Sequence, residues 1–139
     1  MRGSVIKRDT DYALWSLAYM ADFPKGQVFG LGSLGRKRQV STLFLRKIFQ
    51  KLAKKKIVIS HRGRYGGFSL AHLAKDVSIR SIIEAVQGPI VFNRCLTGKY
   101  QCPKERTCVL KKCFAKMQSG FVNQLSQFTL ASLQGERVV

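Results

Sequence analysis

Between Ser41 and Leu70 the hydrophobic period changes from that of a helix to that of a strand, inside a run that carries no acid. That combination restricts the fold more than any other feature of the chain. In "STLFLRKIFQKL" the residues Leu45, Ile48, Phe49 and Leu52 recur at i, i+3, i+4 and i+7, one apolar stripe of an amphipathic helix. Arg46, Lys47, Gln50, Lys51 and Lys54 fill the remaining surface, and Ser41 or Thr42 is placed to cap the start. Ile57-Val58-Ile59 and Phe68-Ser69-Leu70 then read as short strands around "SHRGRYGG". Gly63, Gly66 and Gly67 are expected to turn that hairpin with positive φ.

Two helical segments precede this unit. Tyr12, Leu14, Trp15, Leu17, Ala18 and Met20 make the stretch from Thr10 to Ala21 apolar on most sides, a buried first helix with Thr10 or Asp11 near its N-cap. Pro24 and Gly26 end it. "LGSLGRKRQVS" predicts a short second helix, weakened by Gly32 and Gly35, and a turn around Gln39 and Val40. Helix, turn, helix with a basic outer face, then a glycine-rich ribbon tipped with Arg62, Arg64 and Tyr65, is the order of a winged helix-turn-helix.

Charge points the same way. Lys and Arg outnumber Asp and Glu by 25 to 7 in 139 residues, a net charge of +18. The acids are Asp9, Asp11, Asp22, Asp76, Glu84, Glu105 and Glu136, so none lies between Phe23 and Lys75. A basic surface this concentrated calls for a polyanion: double-stranded DNA is the expected partner, with an anionic membrane second and a solvated face kept for solubility as the plain alternative. No segment approaches the ~20 unbroken apolar residues of a membrane span, and with DNA as the leading candidate no membrane partner is expected. The N-terminal stretch is interrupted by Asp9 and Asp11 and does not read as a secretory signal. A cytoplasmic protein with reduced thiols is the expectation, which argues against a disulfide knot.

The second part of the chain opens with Ile79, Ile82, Ile83 and Val86, a short helix stopped by Gln87-Gly88-Pro89. Leu110, Phe114, Met117, Phe121, Leu125 and Phe128 then recur every three or four residues in a long helix. That helix, together with the first, is expected to form a homodimer interface, because helix-turn-helix proteins pair to match two half-sites.

Between these helices lies "CLTGKYQCPKERTC", with Cys113 following. Zinc sites usually carry closely paired cysteines. Cys95, Cys102 and Cys108 are spaced C-x6-C-x5-C, which suits a loop wrapped around a larger object such as an iron–sulfur cluster. Zinc, redox-active thiols and idle thiols stay open on spacing alone. Lys99, Lys104, Arg106, Lys111 and Lys112 would offset the negative charge of thiolates. Cys113 falls roughly 140° round a helix from Cys108 and is expected to be buried or to face a partner. No C-x-x-C pair and no catalytic acid pair stand out, and His61 and His72 lie in or beside the ribbon. Neither an enzyme nor a small organic cofactor is expected.

"IKRDTDYALWSLAYMA", "STLFLRKIFQKLAKKKIVISHRGRYGGFSLA", "SIRSIIEAVQG" and the cysteine trio before a long helix occur in that order. Together they closely resemble the bacterial regulator family that includes IscR, NsrR and RirA, the Rrf2 family. The resemblance covers nearly the whole chain. It implies a mainly α fold with a small β-ribbon: a winged helix-turn-helix DNA-binding domain over 1–75, then a cluster-binding loop and dimerisation helix over 76–139. By position, Cys95, Cys102 and Cys108 match the three cluster cysteines. IscR-like members place a histidine three residues after the third cysteine, where this chain has Lys111, a poor ligand. NsrR-like members use an aspartate of the first helix, reached from the other subunit, and Asp11 matches it. Asp11 favours 4Fe–4S over 2Fe–2S.

The positions matching the family's DNA contacts are Ser41, Thr42, Phe44 and Arg46, with Arg62, Arg64 and Tyr65 on the wing. Arg46 stands where many members carry glutamate, and arginine pairs with guanine. Lys37, Lys47 and Lys51 are expected to touch phosphates, which orient without specifying. The function implied is a repressor whose operator affinity is switched by a cluster sensing nitric oxide, redox state or iron. A cluster-free thiol sensor and a zinc-stabilised DNA-binding protein are the alternatives.

Overall fold

The computed structural model describes residues 3–104 and 106–134. Met1, Arg2, Glu105 and residues 135–139, which hold the outer ends of both expected segments, lie outside the described residues. The elements are α1 (Arg8–Met20), α2 (Leu31–Arg38), α3 (Thr42–Lys54), β1 (Val58–His61), β2 (Gly67–Leu70), α4 (Ile79–Gln87) and α5 (Val109–Gln127). The fold is mainly α with one antiparallel ribbon, in which Val58 pairs with Leu70 and His61 with Gly67.

The core is built where the stripes converge. Leu45, Ile48, Phe49 and Leu52 of α3 are all buried, against Ala13, Leu17 and Met20 of α1 and Ile82 and Val86 of α4. Each large aliphatic or aromatic side chain in that set contributes about 1.5–3 kcal/mol by leaving water. Ser41 caps α3 as expected, its Oγ accepting from the Phe44 N–H at 3.1 Å, a bond worth about 1 kcal/mol. Gln39 ends α2 in the left-handed conformation at φ 57° and makes the turn between the two helices.

α1 starts earlier than its sequence suggests. Its N-cap is Lys7, which makes no side-chain capping bond, and Thr10 lies inside the helix, fully buried. The cap is tertiary instead. Gln87, at the end of α4, accepts from the Lys7 N–H at 3.1 Å and donates to the Val5 carbonyl at 2.9 Å. Asp9 and Asp11 then sit in the first turn, where the helix dipole favours them.

The ribbon is fused to the helix pair. Phe29, just before α2, exchanges both backbone hydrogen bonds with Phe68 of β2, at 2.8 and 2.9 Å. Gly67 makes this possible, since a Cβ there would collide with the Phe29 carbonyl oxygen. Gly63 and Gly67 have positive φ as expected, at 102° and 154°. Gly66 does not, and its requirement is space: a Cβ would strike the His61 carbonyl oxygen.

The long helix ends at Gln127, one residue short of the expected stripe, and the chain turns back. The Ile79 N–H donates to the Phe128 carbonyl at 2.8 Å, and the Leu130 N–H to the Val77 carbonyl at 3.0 Å. This return inserts Leu130, fully buried, into the core formed by the first segment. No residue of α5 itself is buried. One side of α5 meets Phe92, whose ring lies 5.8 Å from that of Phe121. Val109, Leu110 and Met117 stay largely exposed. Among the described residues no helix is long and apolar enough to cross a membrane.

Candidate nucleic-acid interface and cysteine loop

α3 and the ribbon open onto one groove of about 480 Å³. Thr42, Arg46 and Gln50 line its helical side, and Ser60, His61 and Gly63 its ribbon side. The two basic elements therefore face the same way. Arg62, Arg64 and Tyr65 project at the tip, with Tyr65 87% exposed. The Arg64 guanidinium lies 6.0 Å from the Tyr65 ring centroid. His61 is held over the ribbon by a 2.8 Å hydrogen bond between its Nε2 and the Oγ of buried Ser69.

The expected contact residues divide by exposure. Ser41, Arg46, Lys47 and Lys37 are open to solvent, and Thr42 is half-buried at the groove. The Lys37 ammonium sits 5.2 Å from the Tyr19 ring centroid. Phe44 is half-buried, edge-on to Tyr12 at 5.6 Å and covered by the Arg8 guanidinium at 5.2 Å. Lys51 donates to the Val86 carbonyl at 3.3 Å and lies 3.8 Å from Asp9. Both are engaged within the chain, joining α3 to α1 and α4. Sequence reasoning left Leu43 unplaced and put Gln50 on the outer face of α3 without giving it a role; both are exposed there. A helical wheel contains the signal, because both stand opposite the apolar stripe.

The cysteine loop hangs between α4 and α5. Cys95 sits in a 3-10 turn (Arg94–Leu96), Cys102 in the loop and Cys108 at the N-cap of α5. All three are half-buried and free; Cys113 is free and exposed, so of its two expected placements, buried or facing a partner, the structure contradicts only the first. Gly98, at φ 78°, and the 4.2 Å stack of Arg94 on Tyr100 shape the loop. Asp11 is on α1, 3.9 Å from Arg38. Among the described residues no group of three or more His, Cys, Asp or Glu is gathered closely enough to hold a metal ion. In kind, three thiols on one cation-flanked loop suit a thiolate-held group. In arrangement, the loop must close before they share one.

A helix pair and a basic ribbon sharing one groove define a winged helix-turn-helix protein. A family model described as an iron-dependent transcriptional regulator, Rrf2, matches residues 6–136. The HTH-type transcriptional regulator NsrR of Oceanobacillus iheyensis is 30% identical over 129 residues, covering 92% of this chain and 88% of that protein. Two solved structures share the fold at 22% identity. CymR (YrzC), the global cysteine regulator of B. subtilis, matches with a TM-score of 0.75 over 96% of this chain and 98% of that one. T. potens IscR matches with a TM-score of 0.72 over 94% and 86%. The chain belongs to the Rrf2 family and is a transcriptional regulator of that family.

Proposed function

We propose that this regulator binds double-stranded DNA as a homodimer and represses transcription, with its affinity set by an iron–sulfur cluster. The observation that carries the DNA reading is the groove shared by Thr42, Arg46 and the ribbon. α3 enters the major groove, where arginine pairs with guanine, and the wing arginines lie beside it in the minor groove, whose negative potential attracts them. Ser41, Arg46, Lys47 and Lys37 are placed to meet DNA. Phe44 and Lys51 support α3 from behind. Residues 1–75 do the reading and residues 76–139 the sensing and pairing, although one core runs through both.

Val109, Leu110 and Met117 supply an exposed apolar strip on α5 for a second copy. Cys95, Cys102 and Cys108 are the thiolates that would hold the cluster, with Asp11 of the other copy as fourth ligand. A cluster supplies an iron site reactive to nitric oxide, oxidants or iron scarcity. The chain's own part is to change the spacing of two α3 helices as the loop closes or opens.

A second reading is favoured by the ungathered thiols. In it the cysteines act as cluster-free redox sensors. Iron and sulfide analysis of anaerobically purified protein separates the two. The function is tested by gel shift of anaerobically reconstituted and apo protein on an operator selected from random DNA. Equal affinity of the two forms would sink the switch, and no selected sequence would sink the DNA reading.

A further inference from the structure

We propose that Leu43 reads a thymine in the operator by packing on its 5-methyl group. The inference rests on the DNA-binding reading above and adds a specificity residue to it.

Leu43 is a leucine that the fold does not use. It is 63% exposed, although it lies in the first turn of a helix whose other leucines, Leu45 and Leu52, are buried. On a wheel of about 100° per residue, Leu43 falls opposite the centre of the stripe formed by Leu45, Ile48, Phe49 and Leu52. The same outer face carries Arg46 and Lys47, both exposed. The N-terminal residues of a recognition helix are the ones that reach base edges. The first-turn residue aimed farthest from the core is therefore neither charged nor able to hydrogen-bond.

An apolar side chain has one partner in the major groove. Each base pair presents donors and acceptors there, and only thymine adds a methyl group. A leucine pressed against a hydrogen-bonding edge would leave that edge unsatisfied, so the contact discriminates by penalty as well as by attraction. Arg46 lies one turn on, about 4.5 Å along the helix axis. Base pairs rise about 3.4 Å, so the thymine stands within one or two base pairs of a guanine read by Arg46.

The test removes the methyl and nothing else. An operator is first selected from random duplexes with the wild-type protein, and each thymine is then replaced by deoxyuridine, which pairs identically. Wild type should lose about fourfold in affinity at one or more thymines, the value of one buried methyl group. Leu43→Ala should lose a similar factor on thymine DNA and show no further loss with deoxyuridine at that position. Leu43→Met, still apolar, should keep the deoxyuridine penalty. Melting curves of both variants should match wild type, because the site is exposed and α3 tolerates both residues.

If Leu43→Ala weakens all duplexes alike and keeps the full deoxyuridine penalty, the inference is overturned while the DNA reading stands. A selected operator with no methyl-dependent thymine has the same meaning. Failure to select any operator overturns both.

Discussion

Arg38, in the last turn of α2, reaches Asp11, in the first turn of α1, at 3.9 Å. Its guanidinium also lies 5.5 Å from the Tyr12 ring centroid and 5.2 Å from that of Trp15. One side chain thus joins the helix-turn-helix to the acid proposed as a cluster ligand. The pair is well exposed, at 40% and 63%, so the ion pair itself contributes less than about 1 kcal/mol. A link this weak does not hold the fold together, and Asp11 can leave it at little cost.

Asp11→Asn should therefore leave thermal stability within about 0.5 kcal/mol of wild type. Anaerobic cluster loading, followed by visible absorption and iron content, should fall. Normal loading with an unchanged spectrum would remove Asp11 from the ligand set and leave it as a helix-terminus acid.

The wing arginines predict a change in salt dependence. DNA affinity should fall steeply with salt, and replacing Arg62 and Arg64 together by Ala should reduce the slope of log affinity against log salt by about 2, near 1 per phosphate contact. Fluorescence anisotropy across a salt series measures this. An unchanged slope would mean that the ribbon tip does not touch the duplex.

Leu130 predicts that the tail stabilises the whole body. Leu130→Ala should cost about 2–5 kcal/mol through the cavity it leaves among residues of the first segment. Urea denaturation followed by circular dichroism should show one transition shifted to lower denaturant. A small local effect would mean that the return strand frays without disturbing the core.

α5 predicts the pairing surface. Leu110→Asp puts a charge on the exposed strip and should shift sedimentation from dimer to monomer, with the fold retained because Leu110 is not part of the core. A dimer that survives this change would place the interface elsewhere.

The stripes of α3 and α4 were legible from a clear 3.6 period, joined in α3 by the Ser41 cap and in α4 by the Gln87-Gly88-Pro89 stop. The ribbon was legible from its glycines, although Gly66 is required for room and not for φ. The start of α1 was not, because its cap comes from Gln87, eighty positions away. The same holds for the Phe29–Phe68 pairing and for the return of Leu130, which are long-range choices with no local pattern. In the site, Phe44 was suggested by its position in the family's pattern and Lys51 by its charge; their contacts with α1 and α4 are long-range and have no local pattern. Leu43 was passed over because an apolar residue inside a helix is read as core until its phase is checked.

The ribbon has partners on both sides: β1 along one edge of β2 and Phe29, at the threshold of α2, along the other. Gly67 leaves no slack in that seam. Helix pair and wing are accordingly fastened together by backbone hydrogen bonds on both edges of β2, the build of a stiff reading head. Under the proposed switch, regulation would work like adjusting the gap of a calliper: the jaws keep their shape, and the distance between two of them decides whether the duplex is gripped.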